Sequence, residues 1–174
     1  MTFKRQTSKA IETKFDKILK SKAAQGAYNQ LQVNKLAQQT KKEEAKGELA
    51  HVAVSFTRKN DLYKASPNPQ EKAKIYKEMT ADFKKAKELS LETKSGMTGV
   101  LQIEEIIVPI AREQLRNKMQ TENYTQQLKD VPEDDYTGEK LYIRGQVREA
   151  ALDVSEVLTH KQINEVLKDF GFKW

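Results

Sequence analysis

The sequence contains no cysteine, which excludes disulfides, thiolate nucleophiles and cysteine-bound metal. Histidine is nearly as scarce: His51 and His160 are the only two, far apart on different expected elements. The expected reading of each is a solvated or capping side chain rather than a ligand or a general base. There is no P-loop, no G-x-G-x-x-G and no H-E-x-x-H, so phosphate cradles, dinucleotide sites and zincin chemistry lack their sequence signatures. No apolar run reaches the roughly 18 to 20 residues that a spanning helix needs. The opening "MTFKRQTSKAIETKF" has basic residues but no continuous apolar core of a secretory signal. The expectation is a protein that a signal peptide does not secrete, located in the cytoplasm or within a nucleoprotein or virion assembly.

Glycine and proline are few, at seven and four in 174 residues. What remains is 32% charged and 37% hydrophobic, with a mean hydropathy of -0.79. Such a chain is too polar for a large compact core and too periodic for simple disorder. Charge is unevenly placed: residues 1–90 hold 20 basic and 10 acidic residues, and residues 91–174 hold 11 and 15. This asymmetry divides the chain into a basic helical region, 1–94, and an apolar and acidic one, 95–174, within one continuous domain. It suggests a polyanion partner for the first region, or head-to-tail contacts between copies.

Periodicity then places the elements. Ile11, Phe15 and Ile18 share a face with Lys9, Lys17 and Lys20 opposite, and Ala27, Leu31 and Leu36 are expected to extend burial beyond Gly26. Leu49, Val52, Ala53 and Phe56 favour a helix to about Tyr63, with a strand as the alternative because of the β-branched centre. In "SPNPQEK", Asn68 caps, Pro69 takes the first helical position and Glu71 closes an N-x-x-E box. The helix that follows sets Ile75, Met79, Phe83 and Ala86 on one face and Lys74, Lys77, Lys84 and Lys85 on its back. Ile110, Leu115, Met119, Tyr124 and Leu128 mark another. Beyond the acidic turn "DVPEDDYTGE", the positions Ile143, Val147, Ala150, Val154, Val157 and Leu158 form a stripe interrupted only by Gly145. Thr159 and Gln162 make a capping box, and Gly171 suits the final cap.

The stretch "GVLQIEEIIVPIAREQL", residues 99–115, is the most apolar. On a regular helix its aliphatic residues, Leu101, Ile106 and Val108 included, cover more than half the circumference. Glu105 and Pro109 fall on the remaining wet strip. Glu104 falls inside the apolar arc, where a carboxylate needs a cation or hydrogen-bond donors. The expected partner is a lysine or arginine across an intra- or intermolecular contact.

The fold expectation is therefore all-α: an elongated bundle of five to six helices, with a central apolar helix kinked or restarted near Pro109 and a terminal helical hairpin. The candidate polyanion-binding residues are Lys41, Lys42, Arg58, Lys59, Lys84, Lys85 and Lys87, since lysine binds phosphate as a flexible point charge. Candidate partner-binding residues are Glu104 and the terminal aromatics Phe170, Phe172 and Trp174, which either fold back on their own core or dock on a neighbouring subunit. No cofactor or metal is expected. The functional expectation is a non-enzymatic structural or adaptor subunit that has protein partners or self-associates, and that touches nucleic acid or another polyanion through its basic half. The alternative is a dedicated nucleic-acid-binding protein using the terminal hairpin, with Lys161 and Lys168 on its last helix. Third comes a metal-dependent enzyme built on Glu133, Asp134 and Asp135, which lack the alternating ligands of a calcium loop.

Overall fold

The computed structural model describes residues 2–174, with side chains at Lys17 and from Lys20 onward. The described chain is 83% helical and has no strand. Its helices are α1 (Thr2–Ala65), α2 (Pro69–Thr93), α3 (Met97–Glu122), α4 (Tyr124–Asp130), α5 (Glu139–Val154) and α6 (His160–Lys168). The chain forms two compact units, Met1–Glu44 and Ala45–Trp174. The compositional boundary at residues 94 and 95 thus lies inside the second unit, in the turn between α2 and α3.

Unit Met1–Glu44 is helical throughout its described length, and every side chain described there is exposed. This overturns the expected burial beyond Gly26: Leu31 and Leu36 remain 60% and 61% exposed. The reason lies in the neighbouring positions, because seven asparagine and glutamine residues between Gln25 and Gln39 leave no continuous apolar stripe to bury.

Unit Ala45–Trp174 holds the core. Val52, Phe56 and Tyr63 from the second part of α1 pack with Ile75, Met79 and Phe83 of α2, as the spacing predicts. Ser55 and Lys59 both reach Asp82, at 3.0 and 2.9 Å, and Leu49 lies against Gly96, so this part of α1 runs antiparallel to α2. Tyr63 ties it to α3, accepting a hydrogen bond from Gln114 Nε2 at 2.7 Å. α3 is the hub, since α2, α5 and α6 all pack on it. Its Ile107, Leu115 and Met119 are at most 1% exposed, each contributing about 1.5 to 3 kcal/mol by burial.

α3 does not restart at Pro109, which sits inside an unbroken helix. Pro109 is exposed, so the carbonyl of Glu105 that loses its helical donor can turn to water. The break comes at Asn123, whose left-handed backbone (φ 53°) bends α3 into α4. Asparagine tolerates that conformation better than most residues, and its N–H still donates to the Met119 carbonyl at 3.1 Å.

The terminal caps follow the sequence reading with one change. Asn68 Oδ1 accepts from Gln70 N–H at 2.9 Å ahead of Pro69, but Glu71 does not close the box. It takes the Ser66 hydroxyl instead, at 2.9 Å. At α6 the reciprocal box forms: Thr159 N–H donates to Gln162 Oε1 at 2.9 Å and Gln162 N–H to Thr159 Oγ1 at 3.2 Å. Past α6, Gly171 (φ 81°) lets Phe172 N–H reach back to the Leu167 carbonyl at 3.0 Å, a Schellman closure that a side chain at Gly171 would strain.

Gly145 plays no such role. It is exposed in the interior of α5, and a Cβ built there meets nothing within 4 Å. Gly145→Ala is expected to stabilise the fold by about 1 kcal/mol, read as a higher urea midpoint at unchanged slope.

Candidate polyanion interface and neighbouring surfaces

Ten of the 31 basic residues and four of the 25 acidic ones lie in residues 1–44, net +6, leaving 21 of each sign in residues 45–174. The whole net charge of the chain therefore sits in the unit whose described side chains are all exposed, and the bundle unit is neutral. At about 100° per residue, Lys17, Lys20, Lys35 and Lys42 fall with Tyr28 and Leu31 in an arc of about 80°. Glu43 and Glu44 fall outside it. None of these four lysines has an ion-pair partner among the described residues.

The seven lysines and arginines expected to meet a polyanion are divided between the two units, and some are already engaged. Lys41 and Lys42 are exposed in the basic unit. Lys59 is tied to Asp82 at 2.9 Å in a partly buried pair, with 24% and 15% side-chain exposure. Breaking that pair would leave Asp82 half desolvated, so Lys59 is held in the bundle. Lys84 pairs with Glu156 at 3.6 Å on the surface, and Lys87 Nζ lies 4.4 Å from the Phe83 ring centre, where the ring face attracts it. Arg58 and Lys85 are exposed without a described partner. Lys35 was missed by the sequence reading because no other basic residue adjoins it. Only its helical phase relates it to Lys42 and Lys20.

Glu104 is half-buried and joins no ion pair among the described residues, so the expected cation is not supplied by this bundle. Arg112, which shares a surface with Glu104, pairs instead with Glu165 at 3.7 Å. The apolar arc of α3 is narrower than expected, since Leu101 and Ile106 are 51% and 38% exposed.

The terminal aromatics fold back. Phe170, Phe172 and Trp174 pack against the core, Trp174 N–H donates to Asn164 Oδ1 at 2.8 Å, and its ring lies 4.9 Å from that of His160. α6 lays Ile163, Val166 and Leu167 into the bundle, while Arg116 clasps Asp169 at 3.0 Å. Lys161 and Lys168 are exposed.

The acidic turn has a local structural task. Asp135 accepts from the N–H groups of Lys140 and Glu139, at 2.8 and 3.1 Å, and from the Thr137 hydroxyl at 3.1 Å. The Lys140 N–H is the main cause that holds its carboxyl below the usual range. No three His, Asp or Glu side chains converge on a metal position among the described residues, and no described helix is long and apolar enough to cross a membrane.

One buried polar group lacks a partner where α2 meets α5. The Tyr76 hydroxyl makes no hydrogen bond in a residue 5% exposed. Burial pushes its pKa up to about 12; the neighbouring Thr80 hydroxyl, which donates to the Tyr76 carbonyl rather than to the phenol, opposes this less strongly, and the nearby Asp153 and Glu156 charges add to it. Because the folded value exceeds the unfolded value of 10.0, this phenol's contribution is complete below pH 10 and is lost as pH rises through 12. Tyr76→Phe should be at least as stable as wild type at neutral pH, since it removes an unsatisfied hydroxyl. Urea melts repeated at alkaline pH should show a shallower decline for the variant.

Comparison with protein families, with curated proteins and with solved structures finds no match to this chain.

Proposed function

We propose that this protein is a non-enzymatic helical subunit of a larger assembly, which contacts nucleic acid or another polyanion through residues 1–44 and contributes the bundle 45–174 as its packing body. The observation that carries the reading is the segregation of charge: net +6 in a unit with all its described side chains exposed, against a neutral bundle. A helix of this kind gains nothing from its own lysines, which repel one another in water. A run of phosphates relieves that repulsion and releases counterions. Self-pairing of this face would bring like charges together with no glutamate in the arc to offset them. The paucity of aromatic residues among the lysines favours backbone contact over base stacking, so affinity should be independent of sequence.

The test is a titration of the full chain with duplex and single-stranded DNA at two salt concentrations. Salt-sensitive binding to both is expected; no binding at low salt would remove the polyanion part of the reading.

A further inference from the structure

Met97, Leu101, Val108, Leu115 and Met119 fall on one stripe of α3, within an arc of about 40° at 100° per residue. The stripe has two fates. Leu115 and Met119 are 1% exposed, in the part of α3 that the bundle covers, whereas Met97 and Leu101 stand 54% and 51% exposed. Around the bare half, Leu101, Glu104, Glu105, Val108, Pro109 and Arg112 line a shallow trough. Both glutamates lack an ion-pair partner among the described residues. Arg112, the one cation in the lining, is engaged by Glu165 at 3.7 Å, so an uncovered continuation of a buried stripe, rimmed by two unpaired acids, is half of a contact.

We propose that this trough receives the basic face of α1 from a second copy of the chain, the two helices running parallel, with Tyr28 against Met97, Leu31 against Leu101, and Lys35 against Glu104 and Glu105. The occupant follows from complementarity. Tyr28 and Leu31 are 57% and 60% exposed, and the charged residues that share their arc are lysines, matching an apolar trough whose unpaired charges are carboxylates. Leu31 to Lys35 and Leu101 to Glu105 are both four-residue steps, about 6 Å along a helix, so the apolar and charged contacts coincide in register. A phosphate chain or an anionic membrane would be repelled by Glu104 and Glu105. This is an amphipathic helix laid in a groove, and because different surfaces of the two copies meet, the contact is head-to-tail and can propagate.

The inference rests on the assembly part of the proposed function and draws on the same α1 face, Lys35 included, as its polyanion part, so DNA and a second copy compete for that face. Its test is the mass of the full chain by light scattering and sedimentation, without nucleic acid, up to about 100 μM in low salt. The mass should rise with concentration. The double variant Glu104→Lys with Glu105→Lys, and separately Lys35→Glu, should each weaken association by about tenfold or more. Mixing the two variants should restore it, since each reversed helix then meets a trough of opposite charge. Circular dichroism melts confirm that both remain folded, and Lys35→Glu alters an exposed position outside the bundle. A single-chain mass throughout, reversals that associate like wild type, or a mixture that stays dissociated would each overturn the proposal. DNA titrations of the same samples separate the two ideas: a monomer that still binds DNA in a salt-sensitive way overturns the head-to-tail contact and leaves the polyanion reading standing.

Discussion

Reversing Lys17, Lys20, Lys35 and Lys42 together to glutamate is expected to abolish binding to duplex DNA at low salt. The four share one face of α1, each is exposed, and none is held by a described carboxylate, so each can neutralise one phosphate. Four such contacts give a slope of about -3.6 in log affinity against log salt, a loss of about 150-fold between 50 and 200 mM. The wild-type titration should show a fall of that size, measured by fluorescence anisotropy. The variant should show neither the affinity nor the slope, because the contacts are gone and four carboxylates now repel the backbone. The comparison is informative against the hairpin alternative: reversing Lys161 and Lys168 on α6 should leave the isotherm unchanged. If that pair abolished binding and the four on α1 did not, the interface would belong to the terminal hairpin.

Phe56→Ala should destabilise the bundle by about 3 to 5 kcal/mol. Phe56 is 1% exposed and is among the largest fully buried side chains, and it comes from the part of α1 that lies against α2. Truncation removes the transfer free energy of the ring and leaves a cavity in the core cluster that its buried neighbours collapse only in part. Against a typical total of about 5 to 15 kcal/mol for a domain, the loss is a large fraction of the stability. It should appear in urea unfolding as a much lower midpoint. The nearby ion pair is a weaker prop: Lys59 and Asp82 retain partial exposure, so their attraction is screened and costs desolvation to form. Loss of stability comparable to Phe56→Ala from Lys59→Met would show that the pair, rather than the ring, holds α1 to α2.

Much of the bundle was legible because its signals are local. Val52 and Phe56, Ile75 through Ala86, and Ile143 through Leu158 recur at helical spacing, and those faces are the buried ones. The caps at Asn68, Thr159 and Gly171 depend only on residues within a turn of one another, and all three form. Two local readings failed for reasons outside their window. Pro109 was expected to kink or restart the helix; it does not restart it, because its position faces water and α3 is held on its other faces by α2, α5 and α6. Leu31 and Leu36 were expected to extend burial beyond Gly26, but nothing covers them among the described residues.

The candidate sites divide the same way. From the sequence alone follow the all-helical class, the apolar face of each bundle helix, the scarcity of catalytic groups and the concentration of lysine toward the N-terminus. These are properties of composition and of spacing along one helix. Only the tertiary structure decided which lysines are already engaged, tying Lys59 to Asp82 and Lys84 to Glu156, and which lie on the uncovered face of α1. It also decided that the terminal aromatics fold onto the core, with Trp174 closing on Asn164 and His160, while the stripe of α3 is covered at Leu115 and bare at Leu101. A helix's own periodicity says which residues can share a face; the arrangement of its neighbours determines whether that face is filled, paired or left open.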